Sequence, residues 1–70
     1  MKIILNGKKK YLKEKISVKN FLENVEKIND INLSGAVILI DNEIIKKGDW
    51  ENFFITDGNV VEVLSFVSGG

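Results

Sequence analysis

Apolar residues along this chain fall into short blocks, and the spacing within the blocks changes twice. The first block, Lys2-Ile3-Ile4-Leu5, is β-rich and stops at Asn6-Gly7, a dipeptide that supplies two positive φ values to a tight hairpin. A return strand through Lys8-Lys9-Lys10-Tyr11-Leu12 follows. The period then changes. Val18, Phe21, Leu22 and Val25 fall at i, i+3, i+4 and i+7, the stripe of a helix with one buried face. This spacing predicts a single helix over roughly 18 to 27, with Ser17 placed to cap the free N–H groups of its first turn. Asn20 stands where a Glu would complete a capping box. Residues 28 to 35 read as a loop by composition. The most hydrophobic run, Ala36-Val37-Ile38-Leu39-Ile40, does not alternate and is bounded by Gly35 and Asp41-Asn42. Such a run predicts a short strand buried on both faces or central in a sheet. A brief strand at Glu43-Ile44-Ile45, an irregular connector from Lys46 to Asn52, a turn at Asp57-Gly58 and a last strand from Val60 to Val67 complete the chain.

The order is hairpin, helix, two strands, connector, strand. It predicts an α+β fold with a mixed four- to five-stranded sheet and one main helix across one face, the other face meeting water. The first and last strands can lie side by side at the centre if the crossover through the helix is right-handed. That arrangement is a β-grasp. Residues 1–67 form one domain in this reading, and residues 68–70 a flexible tail. Seventy residues hold one small core, so the strong apolar runs are structural first. Trp50, the only tryptophan, is expected to plug the edge of that core, its N–H finding a carbonyl or water.

Composition narrows the chemistry. The chain has no Cys and no His, which removes disulfides, thiolate nucleophiles, the usual zinc ligands and the commonest general base. No metal site is expected. Net charge is zero but uneven: residues 1–20 carry seven Lys against Glu14, while residues 21–70 carry three Lys against nine acids. All ten basic residues are Lys, and without Arg a sequence-specific nucleic-acid role is disfavoured. Neither a signal peptide nor an apolar run of membrane-spanning length is evident. The expectation is a soluble, cytoplasmic domain with no nucleic-acid or membrane partner.

The last strand carries the functional signal. Val61, Val63 and Ser65 point to one face; Glu62, Leu64 and Phe66 point to the other. Glu62 marks the second face as the wet one, because an unpaired buried Glu is rare. Leu64 and Phe66 are then large apolar groups on the solvent side, candidates for contact with a protein partner. The chain ends Ser68-Gly69-Gly70. Terminal glycines contribute nothing to packing and are the costliest residues to order. What they supply is a thin peptide, with a carboxylate at its tip, that can thread a narrow channel.

Taken together these residues resemble the thiamine-biosynthesis sulfur carrier family, which is ubiquitin-like. The resemblance spans the chain. It rests on Met1-Lys2-Ile3-Ile4-Leu5-Asn6-Gly7, the capped helix at Ser17-Val18, Asn42-Glu43-Ile44-Ile45 followed by Trp50, Asp57-Gly58-Asn59-Val60-Val61-Glu62, and Phe66-Val67-Ser68-Gly69-Gly70. Two departures are Lys46-Lys47, where family members often carry Pro-Arg, and Asn20, where they carry an acid. The resemblance implies a protein co-substrate rather than an enzyme. A ubiquitin-activating-type adenylyltransferase, the partner that uses ATP, would adenylate the Gly70 carboxylate. A persulfide sulfur donor would convert it to a thiocarboxylate, and thiazole synthase would take the sulfur into the thiazole ring. Gly70 would be the reacting residue, Ser68 and Gly69 the tether, and Leu64 and Phe66 the docking contacts; the chain itself would bind no cofactor. Two readings stay open beside it: the small subunit of a molybdopterin synthase, and a ubiquitin-like modifier or interaction module.

Overall fold

The computed structural model describes residues 1–29, 33 and 35–64. Among these residues the chain forms β1 (Lys2–Leu5), β2 (Lys8–Tyr11), β3 (Ile16–Ser17), α1 (Val18–Asn29), β4 (Val37–Ile40), β5 (Glu43–Ile45), β6 (Phe54–Ile55) and β7 (Val60–Leu64), the expected order with the short β3 and β6 added to it. The main sheet has five strands in the order β2-β1-β7-β4-β5. β1 and β7 are parallel neighbours, with Ile4 opposite Val60 and Leu5 opposite Val61, so the last strand is central. This is the β-grasp.

The hairpin forms as its sequence requires. Asn6 and Gly7 take φ of 49° and 83°, the paired positive values whose twist matches that of the flanking strands. A second two-residue turn, Asp41-Asn42 (φ 51° and 70°), joins β4 to β5. Its Asp41 carboxylate also accepts from the Val60 N–H and from the Asn59 side-chain amide, both at 2.8 Å. The start of the central strand is thereby tied to the turn that closes the neighbouring β4–β5 hairpin.

Helix α1 runs two residues past the expected end, to Asn29, since no Gly or Pro stands at 28 or 29 to stop it. Val18, Phe21 and Leu22 are buried, and Val25 packs against them from the margin. Ser17 caps the helix as expected, its Oγ accepting from the Asn20 N–H at 3.1 Å. The other first-turn donors find partners that the sequence did not signal. The Val18 N–H reaches the Phe53 carbonyl (2.9 Å), and the Lys19 N–H reaches that of Trp50 (3.0 Å). Three free helix donors are thus satisfied, which a buried helix start requires.

The connector corrects the expectation of irregular chain. It contains a 3-10 turn, Lys47–Asp49, and leads into β6, which pairs with β3 as a separate two-stranded sheet (Ile16 opposite Ile55, Ser17 opposite Phe54). Two-residue strands lie below what alternation can reveal. Trp50 is a core residue, its indole N–H donating to the Ile45 carbonyl at 2.9 Å. Leu33, expected in a loop, is also buried, its N–H held by the Glu26 carboxylate at 3.1 Å. Strand β4 lies inside the sheet between β7 and β5, with Ile38 and Ile40 buried. Val37 and Leu39, however, are only half-buried, because α1 covers the other side of the sheet, where Ile38 and Ile40 point.

Candidate functional site

The face of the sheet away from α1 is built by period-two alternation on four strands. From β7 come Val60, Glu62 and Leu64; from β4, Val37 and Leu39; from β5, Ile44; from β1, Ile4. Register brings them together. Leu39 stands opposite both Glu62 and Ile44, Val37 opposite Leu64, and Ile4 opposite Val60. Neighbours paired this way have Cβ atoms about 5 Å apart, so the six apolar groups form one patch around the half-buried Glu62. Ile44 is 65% exposed, Leu64 44% and Val60 41%. Among solvent-facing side chains, large apolar groups that adjoin one another mark an interaction surface better than scattered ones do.

Leu64 stands where the sequence placed it, on the wet side of the last strand, while Val61 on the other face is fully buried. Val63 is half-buried rather than fully enclosed. Phe66, Ser68, Gly69 and Gly70 lie outside the described residues. Ile44, Leu39, Val37, Val60 and Ile4 were missed as members of the patch. The signal for Ile44 was present: in Glu43-Ile44-Ile45 only one of two adjacent isoleucines can face the core. For Val37 and Leu39 the unbroken apolar run concealed which side was open.

The end of β7 is held in place by the first hairpin. Beyond Leu5, the last β1 residue, the Asn6 N–H donates to the Val61 carbonyl (2.9 Å) and its side-chain Oδ1 accepts from the Val63 N–H (2.9 Å). The turn residue thus continues the ladder past the end of β1 and holds β7 as far as Val63.

Lys19 and Glu51 form an exposed ion pair at 3.1 Å beside the helix start. The hydrogen bond to Glu51, and then its charge, raise the Lys19 pKa above the usual 10.5. Among the described residues no group of three or more His, Cys, Asp or Glu could hold a metal ion, and no helix is long and apolar enough to cross a membrane.

The sequence model of the ThiS family matches residues 3–70, nearly the whole chain and through its final diglycine. The chain belongs to the ThiS family. Two solved structures share the fold of this ThiS-family chain, both from Geobacter metallireducens and both 22% identical to it. The crystal structure of the thiamine biosynthesis protein (ThiS) superposes with a TM-score of 0.80, each chain covered in full. The solution structure of a thiamine biosynthesis protein gives 0.78, covering all of this chain and 88% of the other. No curated protein matches the sequence.

Proposed function

We propose that this protein is a cytoplasmic sulfur carrier for thiamine biosynthesis, a co-substrate whose Gly70 carboxylate is the reacting group. The observation that carries the reading is the ThiS-family match through residue 70. The exposed patch ending at Leu64 supports it, because it adjoins the strand from which the tail departs.

A carboxylate is a poor electrophile. In this reading a ubiquitin-activating-type adenylyltransferase docks on the open sheet face through Leu64, Phe66 and, across β4, Ile44. Its ATP is attacked at the α-phosphorus by a Gly70 oxygen, pyrophosphate leaves, and an acyl-adenylate forms. The terminal sulfur of a persulfide then adds to the carbonyl carbon and AMP departs with the C–O electron pair. A second thiol cleaves the resulting S–S bond, is itself oxidised to a disulfide, and releases the thiocarboxylate. Thiazole synthase receives that sulfur as a nucleophile. The chain's own part is geometric. Ser68 and Gly69 present the terminus on a backbone without bulky side chains, and the sheet face sets its direction.

Incubation with the adenylyltransferase, ATP and a persulfide donor should raise the intact mass by the difference between one sulfur and one oxygen, located in the C-terminal peptide. Leu64→Asp should leave the domain folded and slow the conversion at least tenfold, through loss of about 1.4 kcal/mol or more of docking energy. An unmodified terminus with an enzyme shown to be active would overturn the proposal. Isopeptide-linked ladders in place of a thiocarboxylate would convert it to a protein modifier.

A further inference from the structure

A second surface, on the helix side of the sheet, has no part in this chemistry. β2 is an edge strand, paired only with β1 among the described residues. Its hydrogen-bonding phase follows from the last pair of the hairpin. The Leu12 N–H donates to the Met1 carbonyl, and the Met1 ammonium donates to the Leu12 carbonyl, both at 2.8 Å. Counting back by twos, Lys10 and Lys8 also exchange bonds with β1, and Lys9 and Tyr11 direct their N–H and C=O groups outward.

Beside that edge, between β2 and α1, runs a groove of about 370 Å³ with an apolar floor that includes Leu12, Phe21 and Val25 and with Ile28 at its rim. Ile28 stands 76% exposed on the last turns of the helix. Lys10 and Lys27 line the groove, no carboxylate among the described residues does, and Lys8 and Lys9 continue the positive charge along the strand. The ion pair of Lys19 with Glu51 involves none of these lysines. The cleft on the other side of the helix is mixed in charge, lined by Glu23, Glu26 and Glu51 together with Lys19 and Lys47.

We propose that this edge and groove bind an extended peptide segment of a partner protein, alternating acidic and apolar residues, which adds as a further strand beside β2. Outward backbone groups at every second residue supply the ladder, and the alternation of a strand would place every second side chain of the peptide in the groove. Charge selects the occupant. Three consecutive lysines repel a second copy of the same edge, a common protection of edge strands, and the same lysines attract carboxylates.

The test is an NMR titration of the full chain with a short synthetic peptide of alternating valine and glutamate. Shifts centred on Lys9, Tyr11 and Ile28, with hydrogen exchange at the Lys9 and Tyr11 amides slowed at least tenfold, are the expected result. Binding should weaken with added salt and fall at least tenfold in the double variant Lys8→Glu, Lys10→Glu. That variant should still be converted to the thiocarboxylate, so this result and the sulfur-carrier reading fail independently. A peptide N-methylated at alternate residues should not bind. Unchanged affinity of the methylated peptide would overturn strand addition, and absence of shifts with the acidic peptide would overturn the site. Shifts from a heparin fragment alone would mean that the lysines read a polyanion and not a strand.

Discussion

At the scale of single residues, backbone conformation explains choices that composition does not. Lys46 sits at φ −65° and ψ 146°, the conformation that proline imposes. The Asp41-Asn42 turn makes Ile40 and Glu43 a hydrogen-bonded pair, so two residues further Ile38 and Ile45 are another. The Lys46 N–H then lies outside the ladder, and the residue before it is already extended, as a following proline prefers. Lys46→Pro should therefore raise stability by about 0.4–1 kcal/mol by narrowing the unfolded ensemble, read as a higher urea midpoint at unchanged slope. A lower midpoint would show that the N–H has a partner. Asn6 serves twice, with a positive φ and with an amide oxygen on the Val63 N–H. Asn6→Gly keeps the turn and removes only the acceptor. Glycine's ease at positive φ offsets part of the loss, so the midpoint should move by less than about 0.5 kcal/mol. Hydrogen exchange at Val63 should quicken nonetheless, and unchanged protection there would remove the brace of Asn6 on β7.

At the scale of elements, the shortest ones bear more than their length suggests. β6 is two residues long, yet its Ile55 is wholly buried and its partner β3 leads directly into α1. The connector before it contributes Trp50 to the core and two carbonyls to the helix start. Ile55→Ala should cost about 2–5 kcal/mol, the range for deleting most of a buried isoleucine, a large part of the stability of so small a domain. A cost below 1 kcal/mol by denaturant melting would place the second sheet outside the cooperative unit. The exposed ion pair beside it is a lesser matter. Because Lys19 is raised, its pairing is fully present at neutral pH and is lost as pH rises through the raised value, with little effect on a fold held by its core.

At the scale of the whole molecule, helix, sheet, connector and the buried Leu33 share one core among the described residues, and Ser68, Gly69 and Gly70 carry no apolar side chain to add to it. Deleting Ser68 to Gly70 should therefore change stability by less than about 0.5 kcal/mol while abolishing thiocarboxylation. A large fall in the denaturation midpoint would show that the tail packs on the domain. The sequence by itself determined the elements whose signals are local. Asn6-Gly7 specifies its turn through φ alone, the Val18/Phe21/Leu22/Val25 stripe its helix through a 3.6-residue period, and Ser17 its cap by its place before that stripe. Alternation about Glu62 put Leu64 on the open side. What adjoins Leu64 was decided only by tertiary structure, because register between β7, β4 and β5 depends on pairing residues up to 27 apart in sequence, as Val37 with Leu64. The same holds for Ile55 and Leu33, whose burial comes from elements folding over them, and for the carbonyls of Trp50 and Phe53 that complete the helix start. Period and propensity act between neighbours in the chain, whereas burial and pairing act between neighbours in space, and what joins Leu64 on the open face of this sheet is defined by the second kind.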